Sequence, residues 1–434
     1  MKNIVKNTLL VLATALVAWG MTACKQDPYK YEVTKGQPVI KYITTTDPAA
    51  ADSVITEAST EAVICIVGEN LRSTKKVFFN DLQAIINTSY ITANTMVISV
   101  PAAIPGAVSD KIYFHAENGT VVEFPFHVAV PGPKIVTTTC EWVKPGEKGH
   151  IVGNYFVDDP NVPLEVVMPD GQNAEVVAYT QSTLDYIVPE GCTQSGIITI
   201  KTIYGSCQSN FVFNDNRNIL IDWDGKGQAL AQGSGWRSGA QAYIGSDKAG
   251  IPALDGNYIC FGPDKLGPGA TDVWGEDPFS FNYWPSSTGG TPAPLDQFPE
   301  FAEILSKNDW KSLKMKFELY VPKSYVWNAA GLGVYLTDFA TVSAEAAGNS
   351  FFTDGTFPRA YYQPWADNGA EFYTDQWITV SIPLTEFAYN QDGNGAGPIT
   401  ADHLKGLTMF VWGGGQTGTE CTPAIAIDNI RIVP

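Results

Sequence analysis

Flat aromatic side chains beside amides, carboxylates and a guanidinium, on glycine- and proline-rich loops, are the residues of this chain best suited to chemistry. One loop reads Gly233-Ser234-Gly235-Trp236-Arg237-Ser238-Gly239. A second runs from Asp272 through Trp274 to Asn282-Tyr283-Trp284-Pro285. A third is Arg359-Ala360-Tyr361-Tyr362-Gln363-Pro364-Trp365. Indole and phenol rings offer rigid faces that lose little entropy on binding and pack on the C–H faces of polyhydroxylated rings, while neighbouring polar groups meet the hydroxyls. Adjacent large aromatics such as Tyr283 and Trp284 must point to different sides of an extended chain, so a core cannot absorb both. The candidate ligand-contacting residues are therefore Trp236, Arg237, Trp274, Asn282, Tyr283, Trp284, Tyr361, Tyr362 and Trp365. Trp310, Trp377 and Trp412 lie in or beside apolar runs, and Trp223 ends one, so these four belong to the core.

Other chemistries find less support. The four histidines, His115, His127, His150 and His403, have no metal-ligand partner at useful spacing, so no metal site is assigned and no cofactor is expected. No Gly-x-Ser-x-Gly elbow or phosphate-cradling loop is present. Asp272, Glu276, Asp277, Asp367 and Glu371 stand near the aromatics, but hydrolysis of a glycosidic bond needs two carboxyls at a set separation, and no pair is singled out. Asn390-Gln391-Asp392-Gly393-Asn394 lacks the full calcium-loop pattern and reads equally as a turn.

The elements that must carry these loops follow from composition and pattern. The chain has 434 residues and a net charge of −18, which disfavours nucleic acid and anionic membrane surfaces and suits a neutral ligand. Residues 1–24 have a basic start, an apolar run from Leu9 to Trp19 too short to span a bilayer, and a small residue before Cys24. This is the pattern of a lipoprotein signal peptide, with Cys24 as the lipidated residue and lipid as the only membrane contact. Residues 25–37 read as a tether. No C-x-x-C occurs among Cys65, Cys140, Cys192, Cys207, Cys260 and Cys421; most read as buried thiols, although Cys192 and Cys207 flank a hairpin and are able to pair.

From there onward the pattern is all-β: short apolar, β-branched and aromatic runs punctuated by Gly, Pro, Asn and Asp. The one helix expected is Gln297–Asn308. The first half holds a repeat of about 90 residues. Pro38-Val39-Ile40 opens one copy and Pro133-Lys134-Ile135 the other. Each runs into a glycine turn, Gly68-Glu69-Asn70-Leu71 and Gly153-Asn154-Tyr155-Phe156, and each has a strand ending in Val-Pro, at Pro101 and Pro189. Such spacing implies immunoglobulin-like sandwiches. The second half carries nine of the eleven tryptophans and long loops between strands. Its first and last strands share an apolar-Asp pattern, Ile221-Asp222 and Ile427-Asp428, which brings the domain ends together in one sheet. A jelly-roll-type β-sandwich is expected over 216–434.

The P-x-I start, the G-x-N-[LF] turn and the strand before Val-Pro resemble the IPT/TIG subfamily of immunoglobulin-like domains, over 38–131 and 132–215. Those two copies read as spacers. Anchor, tether, two such spacers and an aromatic-rich sandwich together resemble the surface glycan-binding lipoproteins of Sus-like polysaccharide utilisation systems. The resemblance implies an outer-membrane lipoprotein on the cell surface that captures xyloglucan or another β-glucan without catalysis. It implies an aromatic platform in the last domain, best matched by Trp236 and Tyr283-Trp284, and a SusC/SusD-like uptake complex as partner. The rival classes are a surface glycoside hydrolase with IPT/TIG spacers and a structural or adhesive lipoprotein.

Overall fold

The computed structural model describes residues 31–50, 53–225, 243–268, 279–282, 293–338, 356–369, 371–411, 413 and 417–434. Those up to Gly132 form one compact unit, and those from Pro133 to Pro434 a second.

The two repeats share one architecture. In the first, strands Val39–Thr45, Val63–Glu69 and Thr95–Ser99 form one sheet, and Leu82–Ala84, Thr74–Phe79, Lys111–Ala116 and Val121–Pro125 another. In the second, Lys134–Thr138, Lys148–Asn154 and Thr183–Ile187 follow the same order. So do Asn173–Tyr179, Glu165–Val167, Thr199–Thr202 and Gly205–Gln208, and here Asn173–Tyr179 joins both sheets into seven strands. The shared glycine has a shared cause. Gly68 pairs with Ile40 and Gly153 with Ile135, each beside a register shift in the first strand. A Cβ would lie 2.0 Å from Val39 O at Gly68 and 2.2 Å from Lys134 O at Gly153, so no side chain fits. The chain then turns through a left-handed residue, Asn70 or Tyr155, and buries Leu71 or Phe156.

Residues 31–37 are not a free tether. Asn70 Nδ2 donates to Lys35 O and Gln37 O, each at 3.1 Å, and Thr34 Oγ1 donates to Asn70 Oδ1 at 2.5 Å. The turn that follows Val63–Glu69 thus also straps down the segment before Val39–Thr45.

The second half packs two sheets on a shared core. One contains Ile244–Gly245, Tyr258–Phe261, Ile425–Val433, Lys314–Tyr320 and Ile378–Pro383, with Ile219–Ile221 also pairing with Ile425–Val433. The first and last strands therefore meet, as their matching patterns predict. The other contains Ser280–Asn282, Gly406–Val411, Leu332–Thr337 and Ala360–Tyr362. The expected helix forms over Pro299–Lys307 and buries Phe301.

The second repeat and this sandwich are not beads on a string. The face of the first sheet turned away from the sandwich core carries Tyr258, Cys260, Tyr320, Ala424 and Ala426, which pack with Trp377 against Ile135, Ile151, Tyr186 and Phe213 of the repeat. Trp377 sits edge-on between Tyr258 and Tyr320 and donates Nε1–H to Pro252 O at 2.9 Å. A sheet buried on both faces reads as a near-continuous apolar run, which is what Ile425–Val433 is.

Charges inside that run must be paired. Arg431 Nη1 donates to Glu318 Oε2 at 2.7 Å, and its Nη2 donates to Glu318 Oε1 at 3.0 Å and Glu141 Oε2 at 2.8 Å. Lys316 Nζ donates to Glu141 Oε1 at 2.6 Å. The Thr379 hydroxyl donates to Glu318 and accepts from Glu141 N. Two acids and two bases thus form a buried bolt, with Glu141 from the repeat and the rest from the sandwich.

All six described cysteines are free thiols, so Cys192 and Cys207 do not pair. Burial pushes the Cys192 thiol up to about 11.

Candidate functional site

Among the described residues the strand Ala360–Tyr362 pairs with Leu332–Thr337 alone and ends its sheet, while Arg359 just before it is bridged to Tyr389. Its alternating side chains face opposite sides, yet at an edge both can be reached from the flank. Tyr361 is in register with Gly333, which is in turn opposite Phe410. On this outer face Tyr335 stacks on Phe410, with ring centroids 4.9 Å apart and planes 4° from parallel. Gly333 makes room for that stack, since a Cβ there would lie 3.0 Å from the Tyr335 ring. Arg359, itself buried, places its guanidinium 4.7 Å over the same ring and donates Nη1–H to Tyr335 Oη at 2.9 Å. Tyr362 turns the other way, towards Trp327 and Phe372.

Beside this edge lies a cleft of about 620 Å³. Its walls include Tyr361, Tyr362, Phe372 and Tyr389, and its polar groups are Gln363, Asp367 and Glu386. No basic side chain is among its described lining residues. Tyr361 Oη donates to Gln391 O at 3.1 Å, which fixes that ring to the turn beyond Tyr389. Burial raises the Tyr361 phenol and pushes Tyr362 up to about 12, so both stay neutral near neutral pH. Aromatic walls with amide and carboxylate acceptors, and no cation, suit a neutral polyhydroxylated ligand and oppose an anionic one.

Among the residues expected to contact ligand, Tyr361 and Tyr362 line this cleft. Trp365 does not fit the expectation. It lies in a short helix, Pro364–Asn368, is only 6% exposed, and donates Nε1–H to Ala330 O at 2.7 Å. Pro364 suits the first helical position, and the indole that follows it packs in the core. Asn282 ends the strand Ser280–Asn282, opposite Thr408, at the other edge of the same sheet. Three strand spacings separate the two edges, roughly 14 Å. Trp236, Arg237, Trp274, Tyr283, Trp284 and also Trp412 lie outside the described residues. Trp327 is fully buried, Trp377 is 9% exposed, and Trp223 packs edge-on against Phe281.

The sequence reading missed Tyr389, Phe372 and Glu386; Gln363 lies in its third loop and lines the cleft beside the tyrosines. Nothing local marks Tyr389: strand alternation would put Phe387 and Tyr389, two apart, on one face, yet Phe387 is buried and Tyr389 is 40% exposed. The Asn390 segment is a turn held by its own side chain: Oδ1 accepts from Asp392 N at 3.0 Å and Asn394 N at 2.9 Å. Of the acids weighed for catalysis, Asp367 lines the cleft. Asp272, Glu276 and Asp277 lie outside the described residues.

A family model described as the surface glycan-binding protein B xyloglucan binding domain matches residues 213–434. Among solved structures, the surface glycan-binding protein PbSGBP-B from Prevotella bryantii is 31% identical with a TM-score of 0.73, covering 92% of this chain and 99% of that one. A curated Bacteroides ovatus protein, named as IPT/TIG domain-containing, is 29% identical over 201 residues. That match spans 42% of this chain and only 40% of the relative's length.

Proposed function

This chain belongs to the surface glycan-binding protein B family, and we propose that its last sandwich captures a neutral plant β-glucan of the xyloglucan class without cleaving it. The observation that carries this is the aromatic cleft beside Ala360–Tyr362, whose described lining residues include no base, within the residues that match the family's binding domain. We assign the principal stacking platform to Trp236 and the Tyr283–Trp284 pair, flanked by Arg237, Trp274 and Asn282, with Tyr361 and Tyr362 extending the surface.

The test is retardation in polysaccharide gels, comparing the full chain with two pieces cut at Gly132/Pro133. That cut respects the two units; a cut at residue 216 would strip the apolar joint around Trp377. Retardation by xyloglucan is expected for the piece 133–434 and not for the piece ending at Gly132. Equal retardation of both would defeat the assignment. Within the cleft, Tyr389→Ala is expected to weaken binding about fivefold, the loss of on the order of 1 kcal/mol of ring contact, with an unchanged melting temperature.

A hydrolytic reading draws on one observation, that Asp367 and Glu386 both line the cleft. Release of reducing ends from xyloglucan by purified chain would support it, and none is expected.

We also propose that Cys24 carries lipid, holds the chain in the outer membrane facing outward, and places it beside a SusC/SusD-like uptake complex. Changing Cys24→Ala should move the chain from the membrane fraction to the soluble one. Continued sedimentation with membranes would mean a different anchor.

A further inference from the structure

The apolar-Asp pattern shared by the first and last strands of the sandwich gathers acids at one place. Ile221 pairs with Ile430, so Asp222 follows the end of one strand beside Asp428-Asn429 in the other. Asp255 comes from the loop before Tyr258–Phe261, and Asn429 Nδ2 donates to its Oδ2 at 3.2 Å. Asp428 is fully buried and its carboxyl lies within hydrogen-bond reach of the Asp255 carboxyl. Asp428 Oδ1 accepts from Asn429 N at 2.8 Å, but its Oδ2 meets no donor. The Asn429 amide oxygen, on a residue 1% exposed, meets none either.

Charge sharpens the problem. Burial first, and then neighbouring acids, raise both carboxyls: Asp255 and Glu318 act on Asp428, and Asp224 and Asp222 on Asp255. Arg431 serves Glu318 and Glu141, and Lys144 Nζ donates to Ala253 O at 2.6 Å. Asp224 is held by Asn257, whose backbone N–H and Nδ2 both donate to it. One proton shared between Asp428 and Asp255 would relieve that pair but leave the Asn429 oxygen unmet. A cation meets all three oxygens.

We propose that Asp428 Oδ2, the Asn429 amide oxygen and the Asp255 carboxylate form an oxygen-only site for a calcium ion. Among the described residues no three His, Cys, Asp or Glu side chains converge as a metal site, so two carboxylates and an amide are completed by water. Calcium accepts such a set, whereas zinc and copper favour sulfur and nitrogen donors. Asp255 is exposed and forms the mouth, so the ion can enter and leave. The ion braces the loop whose Pro252 O and Ala253 O receive Trp377 and Lys144 at the joint with the second repeat.

The experiment is calorimetric titration of CaCl2 into the EDTA-treated full chain, with thermal melts in parallel. One calcium per chain is expected, with a Kd of about 10⁻⁴ M or tighter and a melt that rises with calcium and falls back with EDTA. Asp255→Asn, at an exposed position, should weaken calcium binding tenfold or more while melting like the parent in EDTA. Asp428→Asn should abolish binding and melt no lower than the parent in EDTA, because it removes an unmatched charge. Absence of both heat and melting shift at about 10 mM calcium, tenfold above the weak end of such sites, would overturn the site in favour of a proton-bridged pair. Calcium binding kept in Asp255→Asn but lost in Asp392→Asn would overturn it in favour of the Asn390–Asn394 turn.

Discussion

Replacing Arg431 with methionine is expected to cost about 3–5 kcal/mol of unfolding free energy, the range for removing one partner of a buried charge network. The side chain is fully buried and holds Glu318 with two hydrogen bonds and Glu141 with a third. Methionine fills much of the volume but leaves Lys316 as the sole base against two acids. The cost should depend on pH. Burial pushes Glu318 up to about 7 from its usual 4.5, even with Arg431 pulling it down. A carboxyl whose folded value lies above its unfolded one favours the fold below the unfolded value and loses that contribution as pH rises through the folded value. In the native chain this contribution is therefore lost between about pH 4.5 and 7. Without the guanidinium the folded value moves higher and the lossy window widens upward. Urea titrations should then show a larger deficit for Arg431→Met at pH 8 than at pH 5.5. Adding Glu318→Gln should recover part of it at pH 8. An equal deficit at both values would mean that lost packing, not the bare acid, sets the cost.

The same residues show what was legible in the sequence. The helix Pro299–Lys307 and the meeting of first and last strands follow from periodicity and from the Ile221-Asp222/Ile427-Asp428 pattern, whereas Ser280–Asn282 and Ala360–Tyr362 read as loops and are strands. The repeat was legible because Gly68 and Gly153 answer a backbone demand that a side chain cannot meet. The joint was not. Nothing local at Tyr258, Tyr320 or Trp377 says that the sheet has a second covered face. The usable signal was charge: Asp428 and Arg431 inside an otherwise apolar nine-residue strand imply buried partners, hence a covered face. Trp365 misled for a related reason. A polar, proline-containing neighbourhood suggests exposure, but the short helix started by Pro364 aims the indole inward.

Removing both Trp236 and Trp284 is expected to weaken xyloglucan binding about a hundredfold while the fold stays intact. A long glycan presents several ring faces in a row, so an open platform gains from each stacked aromatic separately. A stacked ring is worth on the order of 1–2 kcal/mol, which makes each single alanine variant about tenfold weaker. Losses at independent positions add in free energy, hence the product for the pair. Tyr283→Ala should be milder, since adjacent residues of an extended chain face opposite ways and only one can lie flat on the ligand. Trp377→Ala is the contrasting control. It empties the joint between Tyr258 and Tyr320 and deletes the hydrogen bond to Pro252 O, so it should cost about 3–5 kcal/mol of stability. Below its lowered melting temperature its affinity should stay near that of the parent. Calorimetric titration with xyloglucan oligosaccharides and thermal melts of the five variants separate these roles. Parent-like affinity and melting in the Trp236/Trp284 double variant would remove the platform from those loops. The cleft between Tyr361 and Tyr389 would then have to carry the binding alone, and Tyr389→Ala would have to cost far more than fivefold.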